Sequence, residues 1–175
     1  MIFEEKTLTS EMIYEGKILN LRKDIVEVIG NQESEREIVE HDGGVALCAI
    51  TDDGKMVMIR QFRQAARRVL LEVPAGKREK GEAPETTAAR ELKEETGYTA
   101  ANMELLTKFY STCGYSEEII HLYLCTGLVP GETDFDDNEA IDIIEYEPEE
   151  LFEMIKTGEI EDAKTIIAVM MANCR

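Results

Sequence analysis

Gly76-Lys-Arg-Glu-Lys-Gly81-Glu82-Ala-Pro-Glu-Thr-Thr-Ala-Ala-Arg90-Glu91-Leu92-Lys93-Glu94-Glu95-Thr96-Gly97-Tyr98 is the stretch that decides how this 175-residue chain is organised. Pro84 suits a first helical turn, Glu85 complements the positive end of a helix dipole, and Gly97 fits the position just past a helix end, so a helix is predicted over Pro84 to Thr96. On that helix Glu91, Glu94 and Glu95 stand at i, i+3 and i+4 and project from one side. Ala88 and Leu92, four apart, give an apolar side that can seat the helix on a sheet. Like charges at this spacing cost a helix about 0.2–0.5 kcal/mol each, more where water is excluded. Two of the carboxylates also sit near the C-terminal end, whose dipole disfavours anions. Something positive is expected beside them. Hard divalent cations such as Mg²⁺ or Mn²⁺ meet that need, because they prefer carboxylate oxygens and keep waters for a substrate phosphate. Arg90 can orient one of the carboxylates through a fork of hydrogen bonds.

The full spacing is G-x5-E-x7-R-E-U-x-E-E-x-G-U, with U a bulky apolar residue, and it resembles the Nudix box of the Nudix hydrolases. Every fixed position is present. The last departs mildly, with Tyr98 where an aliphatic residue is usual. The resemblance implies that Glu91 and Glu95 are metal-binding carboxylates and that Glu94 is a further metal or water-network contact. It implies that Glu82 and Arg90 brace loop and helix, while Gly76 and Gly97 are the loop and helix-end glycines. The family breaks a diphosphate linked to another moiety, using Mg²⁺ or Mn²⁺ and a water; metals can neutralise phosphoryl charge and lower the pKa of a bound water.

The flanks narrow the resemblance to the ADP-ribose pyrophosphatase branch. Leu71-Glu72-Val73-Pro74-Ala75-Gly76 resembles its L-E-[VI]-P-A-G entry, where the backbone carbonyl at the Ala75 position is a metal ligand. Arg60-Gln61-Phe62-Arg63 resembles its R-Q-[FY]-R strand, whose second arginine faces the substrate. Arg36-Glu37-Ile38-Val39 and Asp162-Ala163-Lys164-Thr165 also resemble branch segments. Branch members usually carry Ser-Pro-Gly past the box; here Ser111-Thr112-Cys113-Gly114-Tyr115-Ser116-Glu117-Glu118 has Cys113 in the proline position, with Gly114 and Glu118 in place. Losing proline loosens a loop without removing a charge. Thr133–Glu139 looks like the branch's mobile acidic loop, with Glu139 expected as a metal ligand and Asp137 as a candidate base. The resemblance thus gives Arg36, Glu37, Arg63, Lys77, Cys113, Gly114 and Glu118 as substrate-binding, and Ala75, Glu91, Glu95 and Glu139 as metal ligands.

Composition fits this reading. Lys and Arg number 19 against 37 Asp and Glu, a net charge of −18. So large a negative charge argues against nucleic acid held through its phosphates, since counterion release needs clusters of basic residues. A content of 43% hydrophobic and 32% charged residues describes a globular chain. The longest apolar runs, Val45–Ile50 and Val69–Leu71, are far short of a membrane span. The start, Met1-Ile2-Phe3-Glu4-Glu5, lacks a basic segment followed by an apolar one, so no signal peptide is expected and a cytoplasmic location is. Cys48, Cys113, Cys125 and Cys174 are widely spaced with no Cys-x-x-Cys pair and are expected as free thiols. His41 and His121 are the two histidines, and no G-x-S-x-G elbow supports a serine hydrolase.

Strands are predicted at Lys17–Ile29, Arg36–His41, Val45–Ile50, Met56–Phe62, Met103–Tyr110, Ile119–Leu124 and Ile141–Tyr146. Met56–Phe62 is expected to pair with Val45–Ile50 across Thr51-Asp52-Asp53-Gly54-Lys55, whose Asp-Gly is a hairpin signal. Shorter helices are predicted at Glu149–Lys156 and Ala163–Ala172. Strands, helix, strands, then helices indicate a mixed sheet covered on its faces by helices, and the resemblance implies a Nudix-type α/β/α sandwich with an N-terminal β-strand extension. Residues 1–40 are too few to bury their apolar side chains alone and are expected to form a dimerisation arm on a domain of residues 41–175; a homodimer is typical of the branch. The expected activity is hydrolysis of ADP-ribose or a close nucleoside diphosphate sugar to AMP and ribose 5-phosphate. The alternatives are a nucleoside-triphosphate pyrophosphatase, a non-catalytic Nudix-like binding protein and an acidic calcium-binding protein, the last disfavoured because no EF-hand spacing occurs.

Overall fold

The computed structural model describes residues 2–135 and 140–174. In chain order the elements are β1 (Lys6–Glu15), β2 (Asn20–Val28), β3 (Gln32–Glu40), β4 (Gly44–Ala49), β5 (Met56–Arg63), β6 (Arg68–Glu72), β7 (Ala75–Lys77), α1 (Pro84–Thr96), β8 (Thr99–Tyr110), β9 (Ile119–Val129), β10 (Ile141–Tyr146), α2 (Pro148–Thr157) and α3 (Ala163–Asn173). The chain divides into two units, residues 1–43 with 110–119, and residues 44–109 with 120–175.

The first unit is built on the antiparallel sheet β1-β2-β3. The alternation over Lys17–Ile29 predicts one strand there, and no pattern predicts one over residues 6–15. The structure places β1 there, paired to β2 with Met12 opposite Arg22 and Ser10 opposite Asp24. Every residue of β1 is exposed, so burial imprinted no alternation that would have announced it. On β2, Asp24 is buried and Arg22 Nε donates to it at 2.9 Å. Arg22 also pairs with Glu40 and, at 3.0 Å, with Glu117. The loop ahead of β9 is tied to β3 by Val39 N–H to Tyr115 O at 2.7 Å and Glu117 N–H to Val39 O at 2.9 Å.

The second unit is an α/β/α sandwich, and β4 shows why. Its residues are all buried, as expected for a short continuous apolar run. Successive side chains of a strand point to opposite faces. Val45, Leu47 and Ala49 accordingly pack with Ala88 and Leu92 of α1, while Ala46 and Cys48 pack with Leu151 of α2 and Ala168 and Val169 of α3. Leu47 and Leu92 are each fully buried, a contribution of roughly 1.5–3 kcal/mol apiece.

The turn at Thr51–Lys55 forms, with Gly54 N–H donating to Thr51 O at 3.0 Å, but the predicted hairpin does not continue past it. Beyond a bridge between Ile50 and Met56, the two strands enter different sheets. β4 lies between β7 and β9 in the order β7-β4-β9-β8, and β5 is central in β10-β5-β6. All of β4 and the first half of β5, Met56 to Ile59, are buried at their own sheet centres, which a two-stranded ribbon with a wet face could not provide. α1 and β10 occupy the residues predicted for them, α1 ending on Gly97 in the left-handed conformation, φ 74°. β6 and β7 are too short to have been singled out.

Candidate active site

The candidate stretch begins where β6 gives way to β7. Four successive residues are held there from four directions. The Glu72 carboxylate, 1% exposed, receives Arg63 Nε at 2.7 Å and Nη2 at 2.9 Å, together with Lys164 Nζ. Val73 N–H donates to Thr165 Oγ1 at 2.9 Å. Pro74 O accepts from Leu47 N–H at 2.9 Å. Ala75 N–H donates to Glu95 Oε2 at 2.8 Å. The backbone that carries Ala75 is therefore fixed against the helix that carries the acidic cluster.

Gly76 sets how closely strand and helix approach. A Cβ at this position would fall on Cδ, Oε1 and Oε2 of Glu91, so only glycine lets the β7 backbone lie against that carboxylate. Gly97 is required twice over: its φ is positive, and a Cβ there would approach Gly131 O at 2.7 Å.

Arg90 organises the acids. Its Nη1 donates to Glu91 Oε1 and Glu94 Oε2, both at 2.8 Å, and Nη2 reaches Glu82 Oε2 and Lys77 O, both at 3.3 Å. Glu82 further accepts from Thr87 Oγ1 at 2.8 Å and from Glu79 N–H at 3.2 Å, which closes the loop between β7 and α1. The expected brace between Glu82 and Arg90 is present. Arg90, then Thr87, holds the Glu82 carboxyl down to about 2. Burial works against the charge on Arg90, but Glu82, Glu91 and Glu94 outweigh it and raise its pKa.

Four carboxylates, those of Glu82, Glu91, Glu94 and Glu95, thus share a neighbourhood in which one guanidinium touches three of them. Glu95 is 4% exposed; the Glu91 and Glu94 side chains are 12% and 35% exposed. The donors are oxygens throughout, the chemistry that suits Mg²⁺ or Mn²⁺. Among the described residues no three His, Cys, Asp or Glu side chains form a ready-made cage, and Arg90 holds Glu91 and Glu94. The residues fit a hard cation by charge and donor type, and taking one up would compete with that guanidinium.

The other candidates fall as follows. Arg63 is clasped by Glu72; that hydrogen bond, against the cost of burial, raises its pKa, with further support from the charges of Glu95 and Asp162. Lys77 is exposed, and its carbonyl serves Arg90. In the first unit, Arg36 donates through Nε to Glu5 at 2.9 Å and through Nη1 to Ser34 Oγ at 2.8 Å. Glu37 is exposed opposite Lys23. Cys113 and Gly114 are exposed, and nothing lies within 4 Å of where a Cβ on Gly114 would be. Glu118 Oε1 lies 3.5 Å from His41 Nδ1; that nitrogen already accepts from Gly43 N–H at 3.0 Å, so it has no proton for Glu118 in the neutral ring. Asp137 and Glu139 lie outside the described residues.

The sequence reading assigned no role to Glu72, Lys164 or Thr165. Glu72 carried a usable signal: a lone charge inside the apolar run Val69–Val73 must be paired if the strand is buried. Its partners could not have been read off, because Lys164 and Thr165 lie on α3.

Comparison with known proteins identifies the family. Residues 40–169 match the NUDIX domain. An ADP-ribose pyrophosphatase of Bacillus subtilis (strain 168) is 43% identical over 168 residues, 95% of this chain and 91% of that protein. A methanol dehydrogenase activator of Bacillus methanolicus is 46% identical over 170 residues, 96% of this chain and 92% of that protein. A crystal structure described as an ADP compounds hydrolase superposes with a TM-score of 0.86 at 18% identity, covering 99% of this chain and 94% of that one, which supports the fold. With a domain match over most of its length, relatives that share more than two fifths of its residues, and the acidic helix braced as described, the chain belongs to the Nudix hydrolase family, beside relatives named ADP-ribose pyrophosphatase.

Proposed function

We propose that this Nudix enzyme hydrolyses the pyrophosphate bond of ADP-ribose, or of a close nucleoside diphosphate sugar, to AMP and ribose 5-phosphate. The observation that carries the reading is the seating of Gly76 on the Glu91 carboxylate while Ala75 N–H is fixed by Glu95, which sets the Ala75–Gly76 backbone against two box acids. Ala75 O, Glu91 and Glu95, with Glu139, would hold Mg²⁺ or Mn²⁺. When bound, such ions supply charge neutralisation at the phosphoryl oxygens and make water more acidic.

The chain's own residues do the rest. Arg90 and Glu82 keep the helix and its leading loop in register, so the acids do not relax apart. Glu94, the most exposed of the box acids, can take a proton from the attacking water or pass it on, with Asp137 and Glu139 as the other candidates. Arg63 and Lys77 supply positive charge for the diphosphate, and Arg36, Glu37, Cys113, Gly114 and Glu118 position the remainder of the substrate. The exposed apolar side chains of β1 and the turn after it, Leu8, Met12, Ile13, Tyr14 and Ile18, favour residues 1–40 as an arm in a homodimer. Free thiols at Cys48, Cys113, Cys125 and Cys174 favour a reducing, cytoplasmic setting.

The test is product identification. ADP-ribose with Mg²⁺ should give AMP and ribose 5-phosphate, whereas release of inorganic pyrophosphate from nucleoside triphosphates would favour the alternative activity. Glu95→Gln keeps an acceptor for Ala75 N–H and should fold, yet lose turnover by about 10³-fold or more; near-normal rates would remove Glu95 from the chemistry. A binding role without turnover, a reading the name of the Bacillus methanolicus relative invites, predicts no Mg²⁺-dependent hydrolysis by the isolated chain.

A further inference from the structure

A buried carboxylate is tolerated when its charge is matched and its lone pairs are filled. Glu72 is matched twice. Arg63 forks onto it through Nε and Nη2, and Lys164 approaches from α3, where its ammonium also meets Asp162 Oδ2 at 3.0 Å. Asp162 is fixed in turn as the cap of α3, accepting from Thr165 N–H at 3.0 Å and Thr165 Oγ1 at 2.6 Å. Burial pushes the Glu72 pKa up, but Arg63 and Lys164 outweigh it and hold the carboxyl below its ordinary value. The cluster therefore sets two basic side chains, Arg63 and Lys164, against two acidic ones, Glu72 and Asp162.

The arrangement has a direction. The Glu72 and Lys164 side chains are 1% and 15% exposed, while Arg63 is 37% exposed. The fork fixes the plane of the Arg63 guanidinium from behind, engaging Nε and Nη2, and Nη1 is the nitrogen that Glu72 does not take. Lys164 shares the negative charge of Glu72. Were it absent, that charge would fall on Arg63, cancelling the guanidinium's field and drawing it inward; a poorly solvated ion pair is hard to disengage.

We propose that Lys164 is a positioning residue for substrate recognition: acting through Glu72, it holds the Arg63 guanidinium in place and preserves its positive charge for a substrate phosphate. The proposal rests on Arg63 being a phosphate contact, as given under the proposed function. Lys164 itself touches no substrate.

Steady-state hydrolysis of ADP-ribose with Mg²⁺ tests it in a cycle of four proteins: wild type, Lys164→Met, Arg63→Ala and the double variant. K164M should raise KM about 10-fold with kcat within about threefold, and Lys164→Arg should restore most of the loss. In the R63A background, adding K164M should change KM less than about twofold, because the residue through which it acts is gone. Mn²⁺ binding without substrate, followed by the electron paramagnetic resonance of the free ion, should be the same in K164M as in wild type, since the Lys164 ammonium bonds to Glu72 and Asp162 and to none of the proposed metal ligands that the structure describes. If K164M does not fold, Lys164→Gln keeps a donor and replaces it in the cycle. An unchanged KM in K164M alongside a raised KM in R63A overturns the positioning role and leaves Arg63 as a contact. An unchanged KM in R63A overturns the contact itself, and the positioning role with it. An equal effect of K164M in both backgrounds overturns the path through Arg63.

Discussion

Gly76→Ala tests the seating of strand on helix. The added methyl would coincide with the Glu91 carboxylate, and ordinary carbon contacts are about 3.5–4.0 Å. The carboxylate must retreat by more than about 1 Å to reach that separation. Gly76 is not among the glycines with positive φ, so alanine meets no backbone penalty and the effect is steric alone. Retreat forces the Glu91 side chain off its rotamer, about 0.5–1.5 kcal/mol, and loosens its 2.8 Å bond to Arg90. Together these give a loss of about 1–2 kcal/mol, or a fall in Tm of about 2–8 °C for a chain of this length. The catalytic loss should be larger, since displacing a reacting group by about 1 Å can cost about 10²-fold in rate. Thermal unfolding and ADP-ribose hydrolysis, each measured for G76A, Glu91→Ala and the double variant, separate the two effects. In the E91A background the three atoms nearest the methyl are gone, so G76A should then cost less stability. A kcat/KM for G76A within about threefold of wild type would refute the reasoning. So would an undiminished loss of Tm in the E91A background.

Thr165→Val keeps the side-chain shape but leaves Val73 N–H without an acceptor and Asp162 without its shortest donor; it should cost about 1–3 kcal/mol in denaturant unfolding, and a neutral result would show that the strap is held otherwise. The Glu82 carboxyl lies near 2 when folded against 4.5 ordinarily. The unfolded chain therefore takes up that proton first, so the contribution of Glu82 to stability is complete above about pH 4.5 and is lost as the pH falls towards 2. Arg90→Met should flatten that limb of the Tm–pH profile, and an unaltered slope would contradict the assignment. Cys113 and Cys174 are exposed, whereas Cys48 and Cys125 are buried, with burial pushing the Cys125 thiol up to about 12. A disulfide-exchange reagent should thus titrate two thiols quickly in the native protein and four in denaturant; four at once would show that the core opens.

The acidic helix was legible because its signals are local. Pro84, Gly97 and the i, i+3, i+4 acids lie within fifteen residues or so, and α1 begins and ends where they place it. β10 was legible for the same reason. The partnership of β4 and β5 was not, since the Asp-Gly turn specifies a reversal of the chain but not whether the strands stay together afterwards. β1 was not legible because exposure on every residue leaves no pattern. Within the site, the brace between Glu82 and Arg90 came with the family resemblance, whose motif lies on one helix and its leading loop. The clasp of Glu72 by Arg63 and Lys164 draws on α3 as well as on β5 and β6: Lys164 lies 92 residues beyond Glu72, and no short-range rule connects them.

The division of β4 between two cores has a consequence for how the central sheet keeps its alignment. A strand with one wet face is kept in register by polarity, since sliding by one residue would send apolar groups into water. Val45–Ala49 has no wet face, and both sides are oily. What resists sliding here is volume: the α1 side receives valine, leucine and alanine, the α2/α3 side alanine and cysteine. A one-step slide would crowd one compartment and hollow the other. The strand is therefore indexed by size, and an exchange such as Ala46→Leu with Leu47→Ala, though it conserves composition, should be among the least tolerated in the protein.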